Sequence, residues 1–242
     1  MRLLLRFERS PGRGSMSGRS GWDKMIATKT YGLIEPDAYV ANKLNLFKNL
    51  GARKILDLGC GQGRHTLLLA RKYFETFALD ISPTAVMTTK NVLEKEGLSA
   101  DIMVGDMREI AHPDNFFDVV LAWRALYLGK IDEVRRSFSE AKRILRPGGI
   151  IYASIRSTNN TLCHVGKLKG KEIEANTFLL NCDGLSGIIY HFFTKEEVAG
   201  HFSDFEILEI EELELQHTEY TARYPEHKNL FWLVLAKKPE NS

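Results

Sequence analysis

Cysteine is scarce. The 242-residue chain has three, Cys60, Cys163 and Cys182, an odd number with no CxxC pair, which argues against a disulfide framework or a cysteine-built zinc site and fits a reducing cytoplasm. Long apolar runs are missing too. Nothing approaches the roughly 18 to 20 residues that cross a bilayer, and residues 1–7 are too short and too interrupted by arginine for a signal-peptide core. A charge excess is also lacking: 33 Lys and Arg stand against 31 Asp and Glu, so no strong field invites a polyanion. The surplus is local, because residues 1–30 hold seven basic and two acidic side chains and residues 31–242 hold 26 against 29. Finally, His191, His201, His217 and His227 form no i, i+4 pair and no accompanying cysteine motif, so no metal site is expected.

What is present is 44% hydrophobic and 26% charged, enough to bury a full core in one domain. Residues 1–21, rich in Arg, Gly and Ser with Glu8 as their one acid, cannot offset their ordering entropy by burial and are expected to be a disordered basic leader. That leader reads as a solvated tail or as translation upstream of Met16 or Met25, with an organelle-targeting peptide as the alternative. Residues 22–242 read as the folded domain.

From residue 36 helical and strand periodicities alternate. A helix led by Pro36 runs to about Leu50, followed by a strand at 54–58, a glycine turn, a helix to about Lys72, a strand at 76–79 and a helix capped by Ser82 with Pro83 in its first position. Further strands are expected at 100–104, 117–122 and 149–155, with a helix at 130–145 before the Pro147-Gly148-Gly149 turn. Such repetition predicts an α/β, doubly wound, mostly parallel sheet with helices on both faces. Near the end, 205–215 alternates apolar and acidic residues and 230–236 is nearly all apolar, an expected antiparallel pair. Thr194 and Glu197 form a capping box. Residues 156–190 are too long and polar for a connector and are read as a lid or acceptor-recognition insertion.

The chemistry concentrates in ILDLGCGQGRHT, residues 55–66. Asp57 ends a strand and Gly59, Gly61 and Gly63 then open a helix. Lacking Cβ atoms, the glycines permit unusual dihedrals and let a ligand approach backbone amides at a helix N-terminus. Asp80 ends the next strand, where a carboxylate can accept both ribose hydroxyls of a nucleoside. Asp106 follows the third strand and could accept from an adenine amino group, with Ile81 and Met107 flanking the ring. A dinucleotide GxGxxG would need glycine at position 64, which is Arg64.

GxGxG with an acid two positions before it, followed by LDIS (79–82), GDM (105–107), FFDVVLAW (116–123) and RPGG (146–149), resembles the class I S-adenosylmethionine-dependent methyltransferases over the chain from about Trp22 onward. GCGQGRHT with LDISPTAV is similar to the small-molecule branch that includes tellurite-resistance methyltransferases. The resemblance implies a seven-stranded Rossmann-like sheet with S-adenosylmethionine as cofactor. Asp57, Gly59, Cys60, Gly61 and Gly63 would hold its methionine part, Asp80 the ribose and Asp106 with Met107 the adenine. Trp123 would lie beside the methyl. Tyr31 either closes over the cofactor or belongs to a packed N-terminal segment. Departures narrow the branch: the fourth strand is followed by neither an Asn-Pro-Pro-Tyr nor a Pro-Cys nor acidic metal ligands nor a histidine at Leu126 or Tyr127.

The acceptor pocket is expected from Arg124, Tyr127, Arg156, Asn160, His164 and His191, with His191 and Tyr127 as the candidate bases. Each has a plain alternative: the arginines as solvated or structural ion-pair partners, His191 and His164 as hydrogen-bonded structural histidines. Methyl transfer to a small molecule by in-line displacement is the function this reading expects. Its rivals are a methyltransferase of RNA or protein, supported by the basic leader, and a non-catalytic regulator that binds the methyl donor.

Overall fold

In chain order, the computed structural model has helix α1 (Ala38–Asn49), strand β1 (Lys54–Leu58), α2 (Arg64–Arg71), β2 (Glu75–Asp80), α3 (Pro83–Lys95), β3 (Asp101–Val104), β4 (Phe117–Trp123), α4 (Ile131–Ile144) and β5 (Leu145–Arg156). Then come α5 (Thr161–Lys169), β6 (Lys171–Glu174), β7 (Thr177–Leu180), β8 (Ile188–His191), α6 (Lys195–His201), β9 (Glu206–Glu214) and β10 (Leu230–Lys237). Residues 21–23, 35–180, 187–215 and 228–241 are described.

Seven strands form one sheet in the order β3-β2-β1-β4-β5-β10-β9. β1 to β5 run parallel, and β10 lies antiparallel between β5 and β9. The expected α/β sheet with an antiparallel C-terminal pair is therefore present. The core lies where the apolar runs are densest, on β1, β4, β5 and β10. Order reverses between β1 and β4, and such a switch point opens a crevice at the carboxyl ends of the strands.

Local chemistry sets the element ends. Ser82 Oγ accepts from Ala85 N at 3.1 Å and Pro83 occupies the first position of α3, a cap worth about 1 kcal/mol. The Thr194–Glu197 box closes in both directions at 2.9 and 3.2 Å. Helix α1 starts two residues after Pro36, because Asp37 caps it by accepting from Tyr39 N at 3.1 Å.

The Pro147-Gly148-Gly149 turn differs from expectation. It is an excursion inside β5, which starts directly where α4 ends: Leu145 pairs with Phe117, residues 146–149 bulge outward with Gly148 at φ +72°, and Ile150 resumes pairing with Val119. A second bulge leaves Leu208 out of register between Glu209 and Ile207 and 44% exposed. That phase shift lets Ile207 and Ile210, three residues apart, both pack on the core.

The segment after β5 folds into α5 and a separate antiparallel sheet, β6-β7-β8. This small sheet docks by main-chain hydrogen bonds onto the loop after β4. Gly129 N donates to Ile189 O at 3.0 Å and His191 N to Tyr127 O at 2.9 Å.

Candidate functional site

The glycine turn after β1 is shaped by main-chain bonding. Gly59 N and Cys60 N both donate to Leu79 O, at 2.8 and 3.1 Å, so the turn is tied to β2. Gly59, Gly61 and Gly63 have φ of +73°, +56° and +87°, a region costly for other residues. Gly63 is the N-cap of α2, and a Cβ there would come within 2.4 Å of the Thr89 side chain. Thr89 Oγ1 in turn donates to Gly61 O at 3.0 Å.

Asp80 completes the turn. Its carboxylate accepts from Gly61 N at 2.8 Å through one oxygen and from Ser82 N at 2.9 Å through the other. Burial raises its pKa above the usual carboxylate range. Asp57 sits behind the turn, buried, accepting from Thr66 Oγ1 at 2.6 Å. Burial pushes its pKa to about 6 against the lowering effect of the Thr66 hydroxyl.

Past β3, Gly105 N donates to Asp80 O at 2.9 Å, placing Asp106 beside the same crevice. The Asp106 carboxylate is gripped by the Arg108 guanidinium, which also pairs with Glu133 on α4. Past β4, Trp123 Nε1 donates to Asp37 Oδ2 at 3.2 Å, and Asp37 N donates to His65 Nε2 at 3.3 Å. Burial holds His65 well below the ordinary histidine range, so its ring is neutral with Nε2 as acceptor. Arg124 has φ +60° and is fixed through its amide to Ser154 Oγ at 2.8 Å.

These strand ends surround a cavity of about 620 Å³. Of the residues singled out in the sequence, Gly59, Cys60, Gly61, Asp80, Ile81, Asp106, Met107, Trp123, Arg124 and Tyr127 line it. Asp57 and Gly63 stand behind its wall. Four acceptor-pocket candidates are placed elsewhere. Arg156 is buried among the rings of Tyr127, Tyr190 and Phe231 at 5.2, 5.4 and 4.9 Å. Asn160 is buried as the N-cap of α5, accepting from Leu162 N and donating to Leu230 O, both at 3.0 Å. His164 is exposed on α5. His191 is buried with Nδ1 2.7 Å from Thr177 Oγ1, its pKa lowered to about 4 by burial. Tyr31 lies outside the described residues.

Several lining residues escaped the sequence reading: Trp22, Arg64, His65, Arg108, Glu133 and the Ile188–Ile189 pair of β8. Arg64 and His65 adjoin the glycine motif and Arg108 follows Asp106 by two positions, so adjacency was an available signal. Nothing local marks Trp22 or β8. Among the described residues no cluster of three His, Cys, Asp or Glu side chains is placed to hold a metal ion, and no helix is long and apolar enough to cross a membrane.

Residues 55–149, covering β1 through the turn inside β5, match the family model described as a methyltransferase domain. They contain the glycine turn, Asp80 and Asp106. The segment is thus similar to class I, S-adenosylmethionine-dependent methyltransferase domains. A solved S-adenosylmethionine-dependent methyltransferase from Methanosarcina mazei is 25% identical to this chain, with a TM-score of 0.70 over 85% of this chain and 99% of that one. Among curated proteins, a phthiotriol/phenolphthiotriol dimycocerosates methyltransferase of Mycobacterium tuberculosis (strain H37Rv) is 32% identical over 114 residues, 46% of this chain and 41% of that protein. Ribosomal RNA small subunit methyltransferase C of Alcanivorax borkumensis is 32% identical over 108 residues, 43% of this chain and 33% of that protein. The chain spans about half the length of the first curated relatives it matches.

Proposed function

We propose that this chain transfers the methyl group of S-adenosylmethionine to a small-molecule acceptor in the cytoplasm. The observation that carries this reading is the convergence of three strand ends on one cavity: the glycine turn, the Asp80 carboxylate it is bonded to, and Asp106 with Met107. These residues fit the cofactor. Gly61 lines the cavity, and a Cβ there would meet no atom within 4 Å, so its backbone faces open space. Asp80 spends one hydrogen bond per oxygen on backbone amides, and each ionised oxygen has acceptor capacity left for ribose hydroxyls. Ile81 and Met107 provide apolar flanks for a purine.

When bound, the cofactor supplies a sulfonium-activated methyl for in-line displacement. The chain's own contribution is position and dryness. Trp123 is fixed by Asp37, and Arg124 by Ser154, so the wall beside the reacting centre is rigid before a ligand arrives. Positioning of this kind can contribute roughly 7 to 11 kcal/mol. His65 is not free to act as a base through Nε2, which already accepts from Asp37 N. Tyr127 is the candidate that remains from the sequence reading. The small-acceptor reading is supported by the volume of about 620 Å³, within the range of small-ligand pockets, and by Ile188 and Ile189 of β8, which cover the acceptor side of the cavity.

A turnover screen with methyl-labelled S-adenosylmethionine across thiols, carboxylates, amines, phenols and chalcogen oxyanions tests the reading. Methylated product from one class supports it. Transfer only to RNA or protein, or no calorimetric heat with S-adenosylhomocysteine, overturns it.

A further inference from the structure

Trp22 lies in a short helical segment, residues 21–23, far from the methyltransferase motifs in sequence. It lines the same cavity and packs half-buried against the main core. Its position is fixed by its neighbour: Asp23 accepts a hydrogen bond from the hydroxyl of Ser82. Ser82 is completely buried, and its hydroxyl oxygen also caps α3 by accepting from Ala85 N at 3.1 Å. Its amide donates to Asp80 Oδ1 at 2.9 Å, while Asp80 Oδ2 accepts from Gly61 N at 2.8 Å. One continuous hydrogen-bond chain thus runs from Asp23 through Ser82 and Asp80 to the glycine turn. Asp23 is thereby tied to the residues at the Asp80–Ile81 corner of the cavity, the corner assigned above to the nucleoside, and Trp22 precedes it by one position.

We infer that Trp22 is an additional binding residue for the cofactor's heteroaromatic base, and that Asp23 is a positioning residue that holds it there through Ser82. The inference rests on the reading that the cavity takes S-adenosylmethionine. The chemistry of the corner suits a flat π system. Ile81 and Met107 provide apolar contacts, and the indole, half-buried against the core, adds a broad aromatic face.

The test is calorimetric titration of the full chain with S-adenosylhomocysteine, alongside melting temperatures without ligand. Loss of a base-stacking aromatic predicts binding about tenfold weaker for Trp22→Ala, with Trp22→Phe close to wild type because a planar ring is kept. Asp23→Ala weakens binding by a similar factor, and Trp22→Ala with Asp23→Ala is no weaker than Trp22→Ala alone, because both act through the indole. Wild-type affinity in Trp22→Ala, or additive losses in the double variant, overturns the inference while leaving the cofactor reading intact. If Trp22→Ala does not fold, Asp23→Ala decides, and wild-type affinity there overturns the inference. No heat from the wild-type chain instead removes the cofactor reading, and the role of Trp22 with it.

Discussion

The two sides of the cavity are built from different material. At the end of β1 the wall is main chain: a glycine turn with positive φ, its amides bonded to Leu79 O and Asp80, and one threonine locking it from behind, with Asp80, Ile81, Asp106 and Met107 added from the ends of β2 and β3. At the ends of β4 and β5 it is side chain and an inserted sheet, with Trp123, Arg124 and Tyr127 on the wall, Arg156 packed outside it among three aromatic rings, and β8 clipped to the loop after β4. A wall of backbone tolerates almost no substitution and presents one fixed ligand geometry. A wall of side chains can be recomposed residue by residue, which suits the side that selects an acceptor.

Gly63→Ala should break the first side most severely. It adds strain at φ +87° to a contact within 2.4 Å of Thr89, for about 3 kcal/mol or more of lost stability in denaturant unfolding. Thr89→Ala in that background should recover only the steric part. Asp80→Ala should weaken S-adenosylhomocysteine binding about 100-fold by calorimetry, because hydrogen bonds to an ionised acceptor are lost. An unchanged affinity would remove Asp80 from the site. Arg156→Ala sharpens the contrast on the other side: stability should fall by about 2 kcal/mol as its ring contacts disappear, while cofactor affinity stays within about twofold.

Acid and base should separate the two sides by effects on the order of 1 kcal/mol. Asp57, raised from 3.8 to about 6 by burial, is favoured in its protonated form by folding. Its contribution is fully present below pH 3.8 and is lost as pH rises through about 6. His191, lowered from 6.5 to about 4 by burial, does the reverse: its contribution is present above pH 6.5 and is lost as pH falls through about 4. Thermal melts of Asp57→Asn and His191→Gln against wild type across pH 4 to 7 should flatten opposite slopes, and parallel slopes would contradict this assignment.

The same contrast explains what the sequence revealed. Glycine spacing, Asp80 and Asp106 are local signals, readable because turn chemistry dictates residue type within a few positions. The parallel sheet and its antiparallel closing pair followed from strand and helix periodicity, and the count of seven strands from the resemblance. Asn160 and His191 resemble pocket residues in one dimension, yet a buried cap and a hydrogen bond to Thr177 occupy them. Such roles depend on strands that meet only after the small sheet forms. Trp22 and the β8 isoleucines reach the cavity through contacts distant in sequence, which no periodicity encodes.

The out-of-register Leu208 has a consequence at the far margin of the sheet. β9 is the terminal strand of its side, and Glu206, Glu209, Glu211 and Glu214 are exposed along it. A kinked, anionic margin offers poor main-chain partners to a strand from another molecule and repels an identical one, which blocks growth of the sheet by edge-to-edge addition.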